Sequence, residues 1–208
     1  MKFKLPYYKE HIEYEIPDEL VNGVLVSKTE DYVLELSEVE LVKEALNNPI
    51  SQKPLSELAK GKKHIVIISS DHTRPVPSHI TMPILLEEIR KNNKDVKISI
   101  LVATGMHRAS THEELVNKYG EKIVNEENIV MHDAYVDEDM TFKGILPSGG
   151  ELWVNKLVDE CDLLISEGFI EPHFFAGFSG GRKSVLPGIA SKKTVLWNHN
   201  ARFIANKN

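Results

Sequence analysis

The amino-acid sequence predicts an α/β protein: a Rossmann-like, mostly parallel sheet flanked by helices, with an N-terminal β-rich extension. Short, wholly apolar runs such as HIVIISS, which starts at His64, are typical of strands buried on both faces. These runs alternate with amphipathic segments of helical period, which indicates crossover connections between parallel strands. Residues 3–35 lack this alternation, and their pieces FKL, IEYEI and YVLEL predict short antiparallel strands instead.

The remaining elements follow in a regular order. SEVELVKEALNNPI places its apolar residues on one helical stripe, with Ser37 as its cap, and PLSELAKG predicts a second, shorter helix. Four strands are then predicted at HIVIISS, VKISILVATG, NIVMHDA and DLLISEG. Helices are predicted at SHITMPILLEEIRKN and THEELVNKYG, and a last helix runs through WNHN into ARFI. The polar stretch 133–160 predicts an edge hairpin. We expect residues 1–60 to form the extension, with its two helices packed on the main domain, and residues 61–208 to form the Rossmann-like domain.

Composition narrows the class of protein. The 208 residues carry a formal net charge of −6, with 41% hydrophobic and 27% charged residues, as in ordinary globular domains. An acidic balance argues against a nucleic-acid or anionic-membrane partner. Cys161, the single cysteine, excludes an intramolecular disulfide and fits a reducing cytoplasm. Since neither a signal peptide nor a run of membrane-span length is recognisable, we expect a cytoplasmic protein without a membrane partner.

Histidines and charged side chains follow three of the predicted strands, at the edge where open parallel sheets bind ligands. A fourth group lies in WNHN. The candidates are, in chain order, Asp71, His72, Thr73, Arg74, His107, His173 and His199. Each has an ordinary alternative: a surface histidine, an ion pair at a turn, or a carboxylate that caps the next helix. Their placement at one edge of one sheet favours a functional site.

The segment GFSGGRKSVLPG approaches a P-loop but departs from it. Arg182 stands where the Walker pattern has its second glycine, and GFIEPHFFA separates the preceding strand from the loop. A P-loop joins strand and helix directly, so nucleoside-triphosphate hydrolysis is disfavoured. Ser179, Gly180 and Gly181, followed by a predicted helix, could bind a single phosphate with their amides, with Lys183 beside it. The alternatives are a flexible turn and a solvated lysine.

Taken in order, DHTRP, ATGMHR, EPHFFAGFSGGRKSVLPGIA and NH resemble the nickel-pincer lactate racemase family, from about Ile65 to the end of the chain. The resemblance implies a racemase of a small 2-hydroxy acid, interconverting D- and L-lactate through proton-coupled hydride transfer and a transient 2-keto acid. It implies a nickel-pincer nucleotide, a pyridinium mononucleotide with sulfur-containing arms, bound covalently through Lys183.

The resemblance also assigns roles to individual residues. His107 and His173 would be the acid/base pair, and His199 a ligand of nickel. The segment from Asp71 to Arg74 would line the cofactor. Proteins that build the cofactor would be partners. Members of the family are about twice this length, so a C-terminal second domain is absent from this chain, and we expect the 208 residues alone to be inactive.

Two other classes of function are compatible with the same residues. A metal-dependent hydrolase or phosphotransferase would use Asp71, His107 and His173 around a metal, and would hydrolyse its substrate without stereochemical inversion. A non-catalytic nucleotide-binding module would tolerate loss of both His107 and His173.

Overall fold

The computed structural model describes residues 1–173 and 177–205, with the side chains of residues 29 and 30 left aside. By their contacts, the residues divide into two compact units, Met1–Ser37 and Glu38–Asn208. The helices and strands, numbered in chain order, are β1 (Lys2–Tyr7), β2 (Glu10–Glu15), α1 (Glu38–Asn47), α2 (Leu55–Ala59), β3 (His64–Ser70), α3 (Ser78–Arg90), β4 (Lys97–Ala103), α4 (His112–Tyr119), α5 (Glu121–Glu126), β5 (Asn128–Met131), β6 (Met140–Ile145), β7 (Glu151–Asn155), α6 (Leu157–Glu160), β8 (Leu163–Ser166), β9 (Pro172–His173), β10 (Gly177–Phe178), α7 (Lys192–Asn198) and α8 (Ala201–Ile204).

The first unit is a β-hairpin followed by irregular chain. β1 and β2 pair antiparallel over six residues each, as their alternating sequence predicts. The strand predicted at YVLEL is wrong: residues 32–34 have no regular structure and residues 35–36 form a bend, with Tyr32 and Val33 exposed. Alternation alone does not make a strand, because a strand needs a partner for its backbone hydrogen bonds.

The second unit is built on a four-stranded parallel sheet in the order β5-β4-β3-β8, which confirms the predicted α/β fold. β3 is central, and Ile65 to Ile68 are fully buried because helices and loops cover both faces. α1 and α2 both pack against α3, so these two helices belong by their contacts to this unit. None of the helices that the structure describes is long and apolar enough to span a bilayer.

The two faces of β3 contribute to different parts of the core. Ile65 and Ile67 pack with α3 and α4, whereas Val66 and Ile68 pack with Ile189 and with residues of the last helical region. This division follows from the two-residue repeat of a strand. The second cluster therefore fixes the glycine- and lysine-rich segment against one face of the sheet.

The stretch 133–160 contains the predicted hairpin, but not at the predicted place. β6 and β7 pair antiparallel as a separate two-stranded sheet. Among the described residues, an isolated antiparallel bridge joins Val154 of β7 to Ala190. The prediction that the hairpin lies at the edge of the main sheet is therefore wrong. The β7 backbone contacts Ala190, which follows the glycine-rich segment, instead.

Candidate active site at the carboxyl end of the sheet

A cavity of about 300 Å³ opens where the strands of the parallel sheet end. Its walls come from the segments after β3, β4 and β8 and from the chain that leads into and through α7. The sequence-predicted residues that line it are Asp71, Arg74, His107, His173, Ser179, Gly180, Lys183 and His199. Four segments far apart in the sequence thus meet at one edge, as the carboxyl ends of neighbouring parallel strands require.

Asp71 and His107 form a hydrogen-bonded pair at this edge. The Asp71 carboxylate is buried, and its Oδ2 accepts from His107 Nδ1 at 2.6 Å. Its Oδ1 accepts from both the amide and the hydroxyl of Thr73, at 3.0 and 2.6 Å. Burial alone would raise the pKa of Asp71, but the hydrogen bonds from Thr73 and His107 outweigh it and lower the pKa below its usual value. In the neutral imidazole whose Nδ1 donates to this carboxylate, Nε2 is the acceptor.

Three of the predicted residues lie outside the cavity wall. Thr73 contributes indirectly, through its two hydrogen bonds to Asp71. His72 turns toward α4, with Nδ1 2.9 Å from Ser110 Oγ, and lines a neighbouring cavity. Gly181 is exposed at the start of a short 3-10 turn.

Lys183 is held by its backbone in a tight turn. Its amide donates to the Gly180 carbonyl at 3.1 Å, and its carbonyl accepts from the Gly188 amide at 3.0 Å. The Gly188 carbonyl in turn accepts from the amide of Gly105, two residues after the end of β4, at 2.9 Å. The half-buried Lys183 side chain is therefore presented to the cavity from a turn anchored on the sheet.

Two glycines of this segment are required by close approaches of the backbone. Gly180 has φ +80°, and a Cβ there would lie 2.4 Å from the Phe169 carbonyl oxygen. A Cβ on Gly188 would lie 2.2 Å from the Ser184 carbonyl oxygen. Since real Cβ atoms do not approach carbonyls so closely, side chains at these positions would displace the turn that carries Lys183.

The helix predicted directly after the glycines is wrong. Residues Gly181–Ser184 form a single 3-10 turn, further turns follow, and α7 begins only at Lys192. Glycines of positive φ and Pro187 disfavour a continuous α-helix here. The Ser179 amide donates to the Glu171 carbonyl at 2.8 Å in this conformation, and its contact with a phosphate stays a prediction.

His199 follows the last residue of α7 rather than lying within a long helix. Its amide donates to the Val195 carbonyl at 2.8 Å, and α8 starts two residues later. The continuous helix predicted through WNHN into ARFI is wrong because Asn200 caps α8, accepting from the Phe203 amide at 3.2 Å.

The described part of the cavity is rich in cationic and imidazole groups. Burial, together with the charge of Arg74, lowers the pKa of Lys183. Burial, followed by the charges of Lys183, Arg74 and His199, lowers the pKa of His173. Burial and the charge of Lys183 lower the pKa of His199. Both histidines therefore favour their neutral forms near pH 7, in which an imidazole can accept a proton or bind a metal.

Sequence reasoning missed several residues of the site. Gly168, Ser184 and Gly188 also line the cavity. Beside them Glu167 is buried, and its carboxylate accepts from Ser69 at 2.6 Å and from Ser78 at 3.0 Å. It also accepts from Thr81, so it links the end of β8 to β3 and to the start of α3. The available signal was an acidic residue, Glu167, directly after β8, a position like that of DHTRP after β3.

The donor set of the cavity suits a ligand that brings its own metal-binding atoms. Among residues 1–173 and 177–205, no three His, Cys, Asp or Glu side chains are grouped to hold a metal ion by themselves. His199 offers an imidazole, a ligand that nickel accepts readily, and Lys183 offers an amine of lowered pKa. Arg74, which also lines the cavity, supplies positive charge for an anionic group. The residues present therefore fit a lysine-tethered nickel nucleotide.

Fold and cavity together define a parallel α/β domain with a cavity at the carboxyl edge of its sheet. A comparison with known families shows to which of them this domain belongs. The model of the lactate racemase N-terminal domain matches residues 7–208. The chain therefore belongs to the lactate racemase family, as the resemblance in its motifs predicts.

Relatives of known name support the same assignment. A lactate racemase of Lactiplantibacillus plantarum is 62% identical over 200 residues, which are 96% of this chain and 47% of that protein. A lactate racemase of Thermoanaerobacterium thermosaccharolyticum is 56% identical over 203 residues, 98% of this chain and 48% of that protein. The chain thus spans about half the length of the curated relatives that it matches.

Solved structures show the same fold. The lactate racemase apoprotein from Thermoanaerobacterium thermosaccharolyticum superimposes with a TM-score of 0.90 at 54% identity, covering 100% of this chain and 48% of that one. A crystal structure of a Thermotoga maritima protein superimposes with a TM-score of 0.66 at 27% identity over 77% of this chain and 40% of that one.

Proposed function

We propose that this chain is the cofactor-bearing half of a racemase that interconverts D- and L-lactate. The observation that carries the proposal is the single cavity in which His107, His173, Lys183 and His199 meet, in a chain of the lactate racemase family. A C-terminal half, of the kind that makes up the rest of the relatives, would complete the site.

Lys183 is proposed as the covalent anchor of a nickel-pincer nucleotide that dedicated biosynthetic proteins supply. Burial and the neighbouring Arg74 favour the neutral amine, which is the nucleophilic form. The turn from Gly180 to Gly188 fixes the position of the anchor. His199, at the end of α7, would supply an imidazole to the nickel.

The two histidines would handle the hydroxyl proton of the substrate. The α-hydrogen of a 2-hydroxy acid is weakly acidic beside a carboxylate, so its removal as hydride avoids a carbanion. Lys183 and His199 would hold the cofactor, which when bound would supply an electron-poor hydride acceptor. His107 accepts the hydroxyl proton of one enantiomer through Nε2, and His173 accepts that of the other. Two bases are needed because inversion returns the hydride to the opposite face of the 2-keto acid.

Asp71 and Arg74 prepare the site for this chemistry. Asp71 holds His107 in the tautomer whose Nε2 can accept a proton. Arg74, which is always charged, is placed to bind the substrate carboxylate and also disfavours the charged form of His173.

The experiment that tests the anchor is the intact mass of protein made in a host that builds the cofactor. We expect an adduct that maps to Lys183, with nickel present, and its loss in Lys183→Arg. Lys193→Arg is the matched control, because Lys193 lies on α7 and pairs with Glu151 at the surface. An unmodified Lys183 in nickel-loaded, racemising protein would refute the anchor. Racemisation by the 208 residues alone would refute the need for a C-terminal half.

The hydrolase and binding-module alternatives predict other results. A hydrolase would show divalent-metal-dependent hydrolysis without racemisation. A binding module would lose no function when His107 and His173 are both replaced by glutamine, whereas the racemase loses its activity.

A further inference from the structure

The N-terminal hairpin has one apolar and one charged face. Its register sets Phe3 opposite Tyr14 and Leu5 opposite Ile12, whereas Lys4 lies opposite Glu13. Since side chains alternate along a strand, these pairs fall on two different faces. The apolar face carries Phe3, Leu5, Tyr7, Ile12 and Tyr14, and Glu10 lies at its end, opposite Tyr7. Lys4 and Glu13 form an ion pair of 3.4 Å on the other face.

Most side chains of the apolar face are exposed. Leu5, Tyr7, Ile12 and Tyr14 expose between 46% and 64% of their surface. A two-stranded hairpin in water is only marginally stable unless a hydrophobic face packs against something. An apolar patch of this kind, bounded by charged residues, is typical of an interaction surface.

We propose that the apolar face of the hairpin is the docking surface for the C-terminal half of the protein. The proposal rests on the proposed function in one respect, namely that such a half completes the racemase. The chain accounts for 48% and 47% of its two curated relatives, so about half of each relative lies beyond the matched region. The hairpin itself belongs to the shared region, since the alignment with the solved apoprotein covers the whole of this chain.

Charge disfavours a second copy of this chain as the occupant. Residues 1–37 contain eight acidic residues and four lysines, so two such units face to face would repel each other. The same unit exposes two further apolar stretches, Val24 to Val26 and Tyr32 to Leu34. Together with the hairpin face, these stretches make the exposed apolar surface of the unit larger than the hairpin face alone. A surface of this extent fits a large interface within one protein.

The test is hydroxyl-radical footprinting of the protein with its C-terminal half and of the 208-residue chain. We expect Leu5, Ile12 and Tyr14 to lose most of their labelling when the C-terminal half is present, at every protein concentration. Tyr8, in the hairpin turn and 92% exposed, serves as the internal control and should be labelled equally in both. Equal labelling of Tyr14 in the two proteins would overturn the proposal. So would protection of the 208-residue chain that grows with its concentration, which would identify a second copy.

A pair of variants checks that the apolar face is responsible. In the protein with its C-terminal half, Leu5→Asp should restore the labelling of Tyr14, whereas Lys4→Asp, on the opposite face, should leave it protected. The proposal fails if the two variants behave alike. Racemase activity measured on the same wild-type sample separates the two proposals: protection without activity refutes only the function, and activity without protection refutes only the docking surface.

Discussion

Replacing Asp71 by asparagine tests whether the carboxylate orients His107. The substitution keeps the shape of the side chain but gives it one oxygen and one amino group. With nitrogen at the Oδ1 position, the amino group would face the Thr73 amide, which is itself a donor. With nitrogen at the Oδ2 position, it would face His107 Nδ1, which would then have to accept. The second arrangement loses fewer hydrogen bonds, so we expect His107 to move its proton to Nε2.

The size of the effect follows from the charge-assisted hydrogen bond of Asp71 to His107, which a neutral one replaces. A hydrogen bond to a charged group contributes about 1.5–3 kcal/mol. Asp71 is buried, but the His107 side chain is 51% exposed, so solvent screening places the loss near the lower end of that range, about 1.5 kcal/mol. This corresponds to a roughly tenfold lower kcat/KM. Because D- and L-lactate have equal free energies, kcat/KM must fall by the same factor for both enantiomers.

The assay is racemisation by cofactor-loaded protein that contains its C-terminal half, with the tautomer of His107 read from its ¹⁵N shifts. Asp133→Asn is the matched control, because Asp133 accepts an amide hydrogen from Tyr135 at 2.9 Å in an exposed turn. We expect wild-type kinetics from the control. The reasoning is refuted if Asp71→Asn keeps either the wild-type kcat/KM or the proton on His107 Nδ1.

Two predictions concern the stability of the 208-residue chain and can be checked by urea unfolding. Gly188→Ala should lower the free energy of unfolding by about 1–3 kcal/mol, because its Cβ would meet the Ser184 carbonyl. Gly23→Ala, which has nothing within 4 Å of its Cβ, should change it by less than about 0.5 kcal/mol, and equal losses would contradict the close approach. Burial lowers the pKa of His132, so below about pH 6.5 the unfolded chain takes up a proton that the folded chain resists. The free energy of unfolding should therefore decrease as the pH is lowered below that value, by at most about 1.4 kcal/mol per pH unit from this group. His132→Gln should make this decrease less steep. An unchanged slope in the variant would contradict the prediction.

Local pattern was enough to predict the sheet and the edge where the site lies. The strands at HIVIISS and VKISILVATG are apolar on both faces, and this pattern occurs where helices cover a parallel sheet. The same pattern places Asp71 and His107 after neighbouring strands. The strand prediction at YVLEL was wrong because that segment finds no partner strand among the described residues. The prediction for 133–160 placed the hairpin on the wrong sheet.

The sequence by itself therefore determined the α/β class, the family, and eight of the residues that line the cavity. Only the tertiary structure decided how they are paired: Asp71 Oδ2 meets His107 Nδ1 across 36 residues of sequence, and His72 turns away toward α4. It also decided that GFSGGRKSVLPG is a compact turn rather than the start of a helix. The reason is physical: strand and helix formation depends on neighbours along the chain, whereas hydrogen-bond partners and close backbone approaches depend on segments that meet only after folding.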